Sequence, residues 1–218
     1  MRAVVHVESD LSLLESLAAG VQALECALNT GAGAEWLSLD ACRALRASVE
    51  TCGLRIDVAS ADLSGQVPPA REGALEEWLK GHLSSALERS VCLGATTLVL
   101  TTLRAGDPEI TAGAVPYALA LNAVYRSLMS VRAAAERAGM SLALAAAQHR
   151  FLLSPGECRD LIDEINAPNV GILLDITALA SIGDVNDWIG TLRHRLAAVR
   201  IASRSDCPAR NLLAALES

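Results

Sequence analysis

The chain has 218 residues, of which 52% are hydrophobic, 20% charged and only 3% aromatic, with a formal net charge of −7. That is a globular composition with a core of Ala, Leu, Val and Ile, and its acidic balance argues against a nucleic-acid partner. No segment approaches the roughly 18 uninterrupted apolar residues of a membrane span, and the opening MRAVVHVESD is too short in apolar residues for a secretory leader, so a cytoplasmic chain is expected.

In chain order, short aliphatic runs alternate with helical patterns. Strands are expected at Ala3–Val7, Ala23–Leu28, Leu54–Ala59, Thr97–Thr101, Ser141–Ala147, Val170–Ile176 and Ala197–Ala202. A helix over Leu11–Ala19 follows Ser9 and Asp10 and stops at Gly20. Others are expected over Leu39–Thr51 after Ser38, Leu75–Cys92 before Gly94, and Tyr117–Ala138 before Gly139. The stretch Ser154-Pro155-Gly156-Glu157 has capping-box spacing with proline at the first helical position, and it opens a helix through Asn166. Two more are expected near Val185–Leu192 and Ala209–Leu216. Cysteines 26, 42, 52, 92, 158 and 207 form no CxxC pair and no zinc-finger spacing, so buried reduced thiols are expected.

Seven strand–helix repeats in one continuous chain imply an α/β fold with a parallel sheet, as a single domain over 1–218. An open doubly wound sheet and a (β/α) barrel both fit this order. No GxGxxG or GxxxxGK[ST] follows any strand, which favours the TIM-type barrel. Seven βα units are recognisable, and the eighth is expected to be absent or incomplete. An open barrel would bare the edges of the first and seventh strands, so a homodimer or a rearranged C-terminal segment is expected to cover them.

In such folds the site lies at the carboxyl ends of the strands. His6 and Glu8, Glu25 and Asn29, Asp57, Ser60 and Asp62, Thr101 and Thr102, Gln148, His149 and Arg150, Asp175 and Thr177, and Arg200, Ser203 and Arg204 fall there. Alternation on the sixth strand puts Gly171, Leu173, Asp175 and Thr177 inside and Ile172, Leu174 and Ile176 outside. On the seventh, Val199 and Ile201 face outward, leaving Ala198, Arg200 and Ala202 inside. An acid and a guanidinium could therefore meet on adjacent strands. Neither a GxSxG elbow nor a cysteine at a strand's carboxyl end supports a covalent hydrolase.

LESLAAGVQALECAL, LERSVCLGATTLVL and the stretch AAERAGMSLALAAAQHRFLLSPGECRDLIDEINAPNVGILLDITA resemble, in order and spacing, successive parts of the xylose isomerase-like TIM barrels. That superfamily holds sugar phosphate isomerases and epimerases and apurinic endonucleases. The resemblance implies a divalent metal (Mn, Mg, Co or Zn) held by a Glu ending strand five, an Asp ending strand six, a His on strand seven and a Glu ending strand eight. Here Ala145 stands in place of the first, Asp175 matches the second, Arg200 replaces the third, and the fourth has no counterpart. Where the family often has a substrate-binding His three residues after the Asp, this chain has Ala178. No cofactor is expected from so reduced a set.

Asp175 is open to three readings: partner of Arg200, strand-end cap, or metal ligand. Glu25, which the resemblance points into the pocket, reads as a ligand contact or a structural acid. His149 reads as an acid–base group or a loop histidine, and His6 as a pocket or strand-end histidine. Arg200, Ser203 and Arg204 read as a phosphate or carboxylate site or a solvated charge set. Arg193 and Arg195 lie at the strand's other end, and His82 and His194 sit on helices. The expected function is a barrel with a degenerate metal site, non-catalytic or metal-independent, that binds a small polar or anionic, sugar-like ligand or a protein partner. The alternative is a divalent-metal-dependent sugar (phosphate) isomerase or epimerase. An apurinic endonuclease would need more histidines and a basic groove.

Overall fold

Residues 4–7, 23–29, 35–66, 68, 71–106, 113–179 and 182–200 are described by the computed structural model, and all structural statements concern them. Each aliphatic run forms a strand: β1 Val4–Val7, β2 Ala23–Ala27, β3 Arg55–Asp62, β4 Thr97–Thr101, β5 Ser141–Ala145, β6 Val170–Asp175 and β7 Leu196–Arg200. All neighbours pair in parallel, in the order β1-β2-β3-β4-β5-β6-β7. Sequential order, with a helix at each described crossover from β2 onward, is the wiring of a TIM-type barrel. Among the described residues β1 and β7 each pair on one side only.

The helices are α1 Leu39–Thr51, α2 Glu72–Leu93, α3 Tyr117–Arg137, α4 Pro155–Ile165, the single turn α5 Ile176–Leu179, and α6 Val185–Leu192. Their ends follow the local chemistry. Ser38 Oγ accepts from Ala41 N at 3.1 Å, and Ser154 Oγ from Glu157 N at 3.2 Å. The Glu157 carboxylate reaches back to Leu153 N at 3.1 Å, one residue beyond the usual reciprocal partner, the N-cap Ser154. Gly94 ends α2 in the left-handed region, at φ 79°.

Several boundaries differ from the sequence reading, and three of them bear on the site. β3 continues to Asp62, so Ser60 and Asp62 belong to the strand. β6 stops at Asp175 because Ile176 already begins α5, and β5 stops at Ala145. The expected helices at Leu11–Ala19 and Ala209–Leu216 lie outside the described residues. So does any eighth unit after Arg200.

Period-two alternation sorts the strand residues into two apolar layers. Leu24, Cys26 and Leu28, with Leu98, Leu100, Leu142, Leu144, Ile172 and Leu174, pack against the helices. Val99, Ala143, Ala145 and Leu173, with the partly buried Val58 and Ala198, form a separate cluster inside the curl. The inner cluster is a plug of small and medium side chains. The next inward positions towards the carboxyl ends are polar: Ser60, Thr101, Asp175 and Arg200. The thiols depart from expectation at two places, since Cys52 is exposed at the cap of α1 and Cys92 is only half-buried. Cys26 and Cys158 are buried, and burial pushes both thiols up to about 12.

Gly171 fixes the β6–β7 junction. A Cβ there would stand 2.6 Å from the Arg195 carbonyl oxygen and 2.9 Å from Ala197 Cβ. The register shift between Ile172 and Leu173 lies beside it. Gly171→Ala should therefore push β7 outward and lower stability by about 2 kcal/mol, measured by denaturant unfolding. An unchanged midpoint would show that the junction yields freely.

Candidate functional site

The polar ends of the strands gather into two groups. The first is centred on Arg200, the last residue of β7. Asp175 is its register partner on β6, and their side chains approach to 3.7 Å. The shorter contact is with Glu25 of β2, which accepts a hydrogen bond from Arg200 Nη2. Glu25 is buried at 7% exposure, whereas Arg200 keeps 30% of its side chain in solvent. The fork of one guanidinium thus spans two carboxylates from strands on either side of the β1–β7 seam. Asp175 also caps the turn that follows it, accepting from Ala178 N at 3.2 Å. Two of its sequence readings therefore hold together, as ion-pair partner and as cap.

The second group lies over β3, β4 and β5. Asn29, just past β2, donates to the Asp62 carbonyl at 2.6 Å and accepts from Asp62 N at 3.0 Å. Asp62 Oδ1 accepts from Ser64 N and Ser64 Oγ at 2.8 and 2.6 Å. Thr101 donates to Gln148 at 3.2 Å. Beside them is His149, half-buried, with Asp62 and Arg104 near enough to act on its charge. Burial holds its imidazole below the ordinary value; Asp62 opposes that shift and Arg104 adds to it.

The other candidates fall as follows. His6 sits on β1 opposite Glu25 in register, with its side chain outside the described residues, as are Ser203 and Arg204 entirely. Asp57 is near the amino end of β3, bound by Arg55 at 2.5 and 3.0 Å, and so faces away from the mouth. His82 lies on α2 with its Nδ1 on the Trp78 carbonyl at 2.7 Å, its ring between Trp36 and Trp78. Arg195 is held by Asp163 at the barrel's far end. The Glu25–Arg200 contact was missed in sequence because the two positions are 175 residues apart. Their shared inward phase at strand ends was the available signal.

The first group does not suit a divalent cation. Ala145 brings no donor, and Asp175 and Glu25 already share the positive charge of Arg200. A guanidinium 3.7 Å from the one matching carboxylate would repel a metal ion placed there. Among the described residues no three His, Cys, Asp or Glu side chains are grouped to hold a metal.

A family model described as xylose isomerase-like TIM barrel matches residues 14–211. The chain belongs to that family. Among solved structures, this xylose isomerase-like barrel is similar to a D-psicose 3-epimerase determined with D-fructose. The TM-score is 0.79 at 17% identity, covering 100% of this chain and 81% of the other. It is also similar to the 3-keto-D-glucoside 4-epimerase of E. coli, with a TM-score of 0.75 at 16% identity over 100% and 88%. A family 2 AP endonuclease from Brucella melitensis gives 0.72 at 14% identity over 100% and 88%. Identities this low establish the barrel alone. No curated protein sequence matches the chain. Among the described residues no helix is long and apolar enough to cross a membrane.

Proposed function

We propose that this barrel uses its mouth as a metal-independent binding site for a small, polar, sugar-like molecule. The observation that carries this reading is Arg200 lodged between Glu25 and Asp175. One guanidinium against two carboxylates leaves the group acceptor-rich, which suits the hydroxyl donors of a polyol better than an anion. Thr101, Gln148 and His149 add neutral donors and acceptors from β4 and the loop after β5. The sugar epimerases among the structural neighbours support the same class of ligand. The reading includes no nucleic acid and places the chain in the cytoplasm. It includes a segment after Arg200, or a second copy of the chain, lying against the edges of β1 and β7.

The test is a thermal-melt titration of chelator-treated protein, with Mn²⁺, Co²⁺, Zn²⁺ or Mg²⁺ in one arm and D-fructose, D-tagatose or D-allulose in the other. A ligand at 100 times its Kd stabilises the fold by about 2.7 kcal/mol. The sugar arm should shift the melt and the metal arm should not. A saturable ion shift that Asp175→Ala abolishes would instead revive the reading as a metal-dependent isomerase or epimerase.

A further inference from the structure

The loop after β5 carries the densest backbone strain in the described chain. Ala147, His149, Arg150 and Leu152 have φ of 60°, 51°, 62° and 52°, and none is glycine. Histidine tolerates the left-handed region better than most, but alanine, arginine and leucine do not, and each such residue costs about 1 kcal/mol. The surroundings hold the loop in this form. Ala147 N donates to the Leu152 carbonyl and Phe151 N to the Gln148 carbonyl, both at 2.9 Å. Ala105 N, from the loop after β4, donates to the His149 carbonyl at 3.0 Å. Phe151 and Leu152 are buried at 2% and 0% exposure, with the Tyr117 ring 5.6 Å from that of Phe151. The strained turn thus has an apolar root and a polar crest, Gln148 and His149, at the carboxyl end of the barrel. Strain of this kind persists where the surrounding fold over-determines it, and it marks functional loops.

We infer that the left-handed turn 147–152 exists to present His149 and Gln148 as the wall of the mouth that hydrogen-bonds the hydroxyls of a sugar-like ligand, with His149 as a neutral donor and acceptor. This rests on the proposed binding function. The charged groups acting on His149 are Asp62 from β3 and Arg104 from the loop after β4. Burial favours the uncharged ring, which can offer one N–H and one lone pair to a diol.

Two variants and one spectrum test this. Relieving strain with Arg150→Gly should raise the melting temperature and leave D-allulose binding unchanged. His149→Gln should lower the melting temperature by a few degrees at most, because glutamine suits the left-handed region less well, and weaken D-allulose binding at least tenfold. Long-range ¹H–¹⁵N spectra of the ligand-free protein should show the His149 ring titrating below the usual value of about 6.5. A His149→Gln variant that binds like the parent, while Arg200→Lys does not, would overturn this inference and leave the proposed function standing. Absence of sugar binding by the parent chain would overturn both. Titration of His149 like a solvated imidazole would overturn the inference whatever the sugars do.

Discussion

Arg200→Ala should destabilise the barrel by about 3 kcal/mol, because it removes a guanidinium that neutralises the buried carboxylate of Glu25. For a chain of this size that is a fall of about 6–12 °C in melting temperature. Asp175 will suffer less. It is nearly 4 Å from the guanidinium and retains its bond from Ala178 N. Arg200→Lys should cost less than Arg200→Ala, since an ammonium keeps the charge but cannot fork towards two acids. Replacing both members of the tighter pair, Glu25→Leu with Arg200→Leu, should recover more than half of the single-variant loss, because the buried carboxylate is removed together with the guanidinium. Denaturant unfolding of the four proteins measures the whole series. An Arg200→Ala midpoint within error of the parent would mean that solvent screens the pair, and the first polar group would lose its claim to organise the mouth.

The layered architecture was legible because two periodicities carry it. Aliphatic runs of strand length alternate with amphipathic helices, and Ser38, Ser154 and Gly94 mark the ends as capping chemistry dictates. The inward phase of Asp175 and Arg200 followed from alternation, and the inner cluster of Val99, Ala145 and Leu173 obeys the same rule. Three features were not legible. The reach of Arg200 to Glu25 depends on how far the sheet curls, a global property that no local window encodes. The early stop of β6 depends on Asp175 capping Ala178 N, which competes with strand continuation. The turn at 147–152 gives no sequence sign at all. Left-handed residues are normally announced by glycine or asparagine, and AAAQHRFL contains neither. Burial of Phe151 and Leu152 imposes that conformation against local preference.

Ala145→Glu with Arg200→His should convert the first polar group into a divalent-metal site. The ligand pattern implied by the family resemblance then regains three members on adjacent strands. The register permits it. Ala145 lies opposite Leu173, and Asp175 lies opposite Arg200, so the new glutamate starts two residues, about 6.6 Å, below the other two ligands. A glutamate side chain pointing along the curl covers most of that step. Without metal the double variant should melt lower than the parent, for the reason that Arg200→Ala does, and lower again because a carboxylate enters the apolar plug beside Val99 and Leu173. Saturating Mn²⁺ or Zn²⁺ should return the melt towards that of the parent, by about 2.7 kcal/mol at 100 times Kd. Asp175→Ala in the same background should remove the response. That outcome would identify Arg200 as a fixed cation standing where a mobile one would bind. The alternative result, a variant that is destabilised and indifferent to every ion, would show that the ends of β5, β6 and β7 do not converge on one point. Arg200 would then be a local partner of Glu25, and the sugar-binding reading would rest on the His149 wall alone.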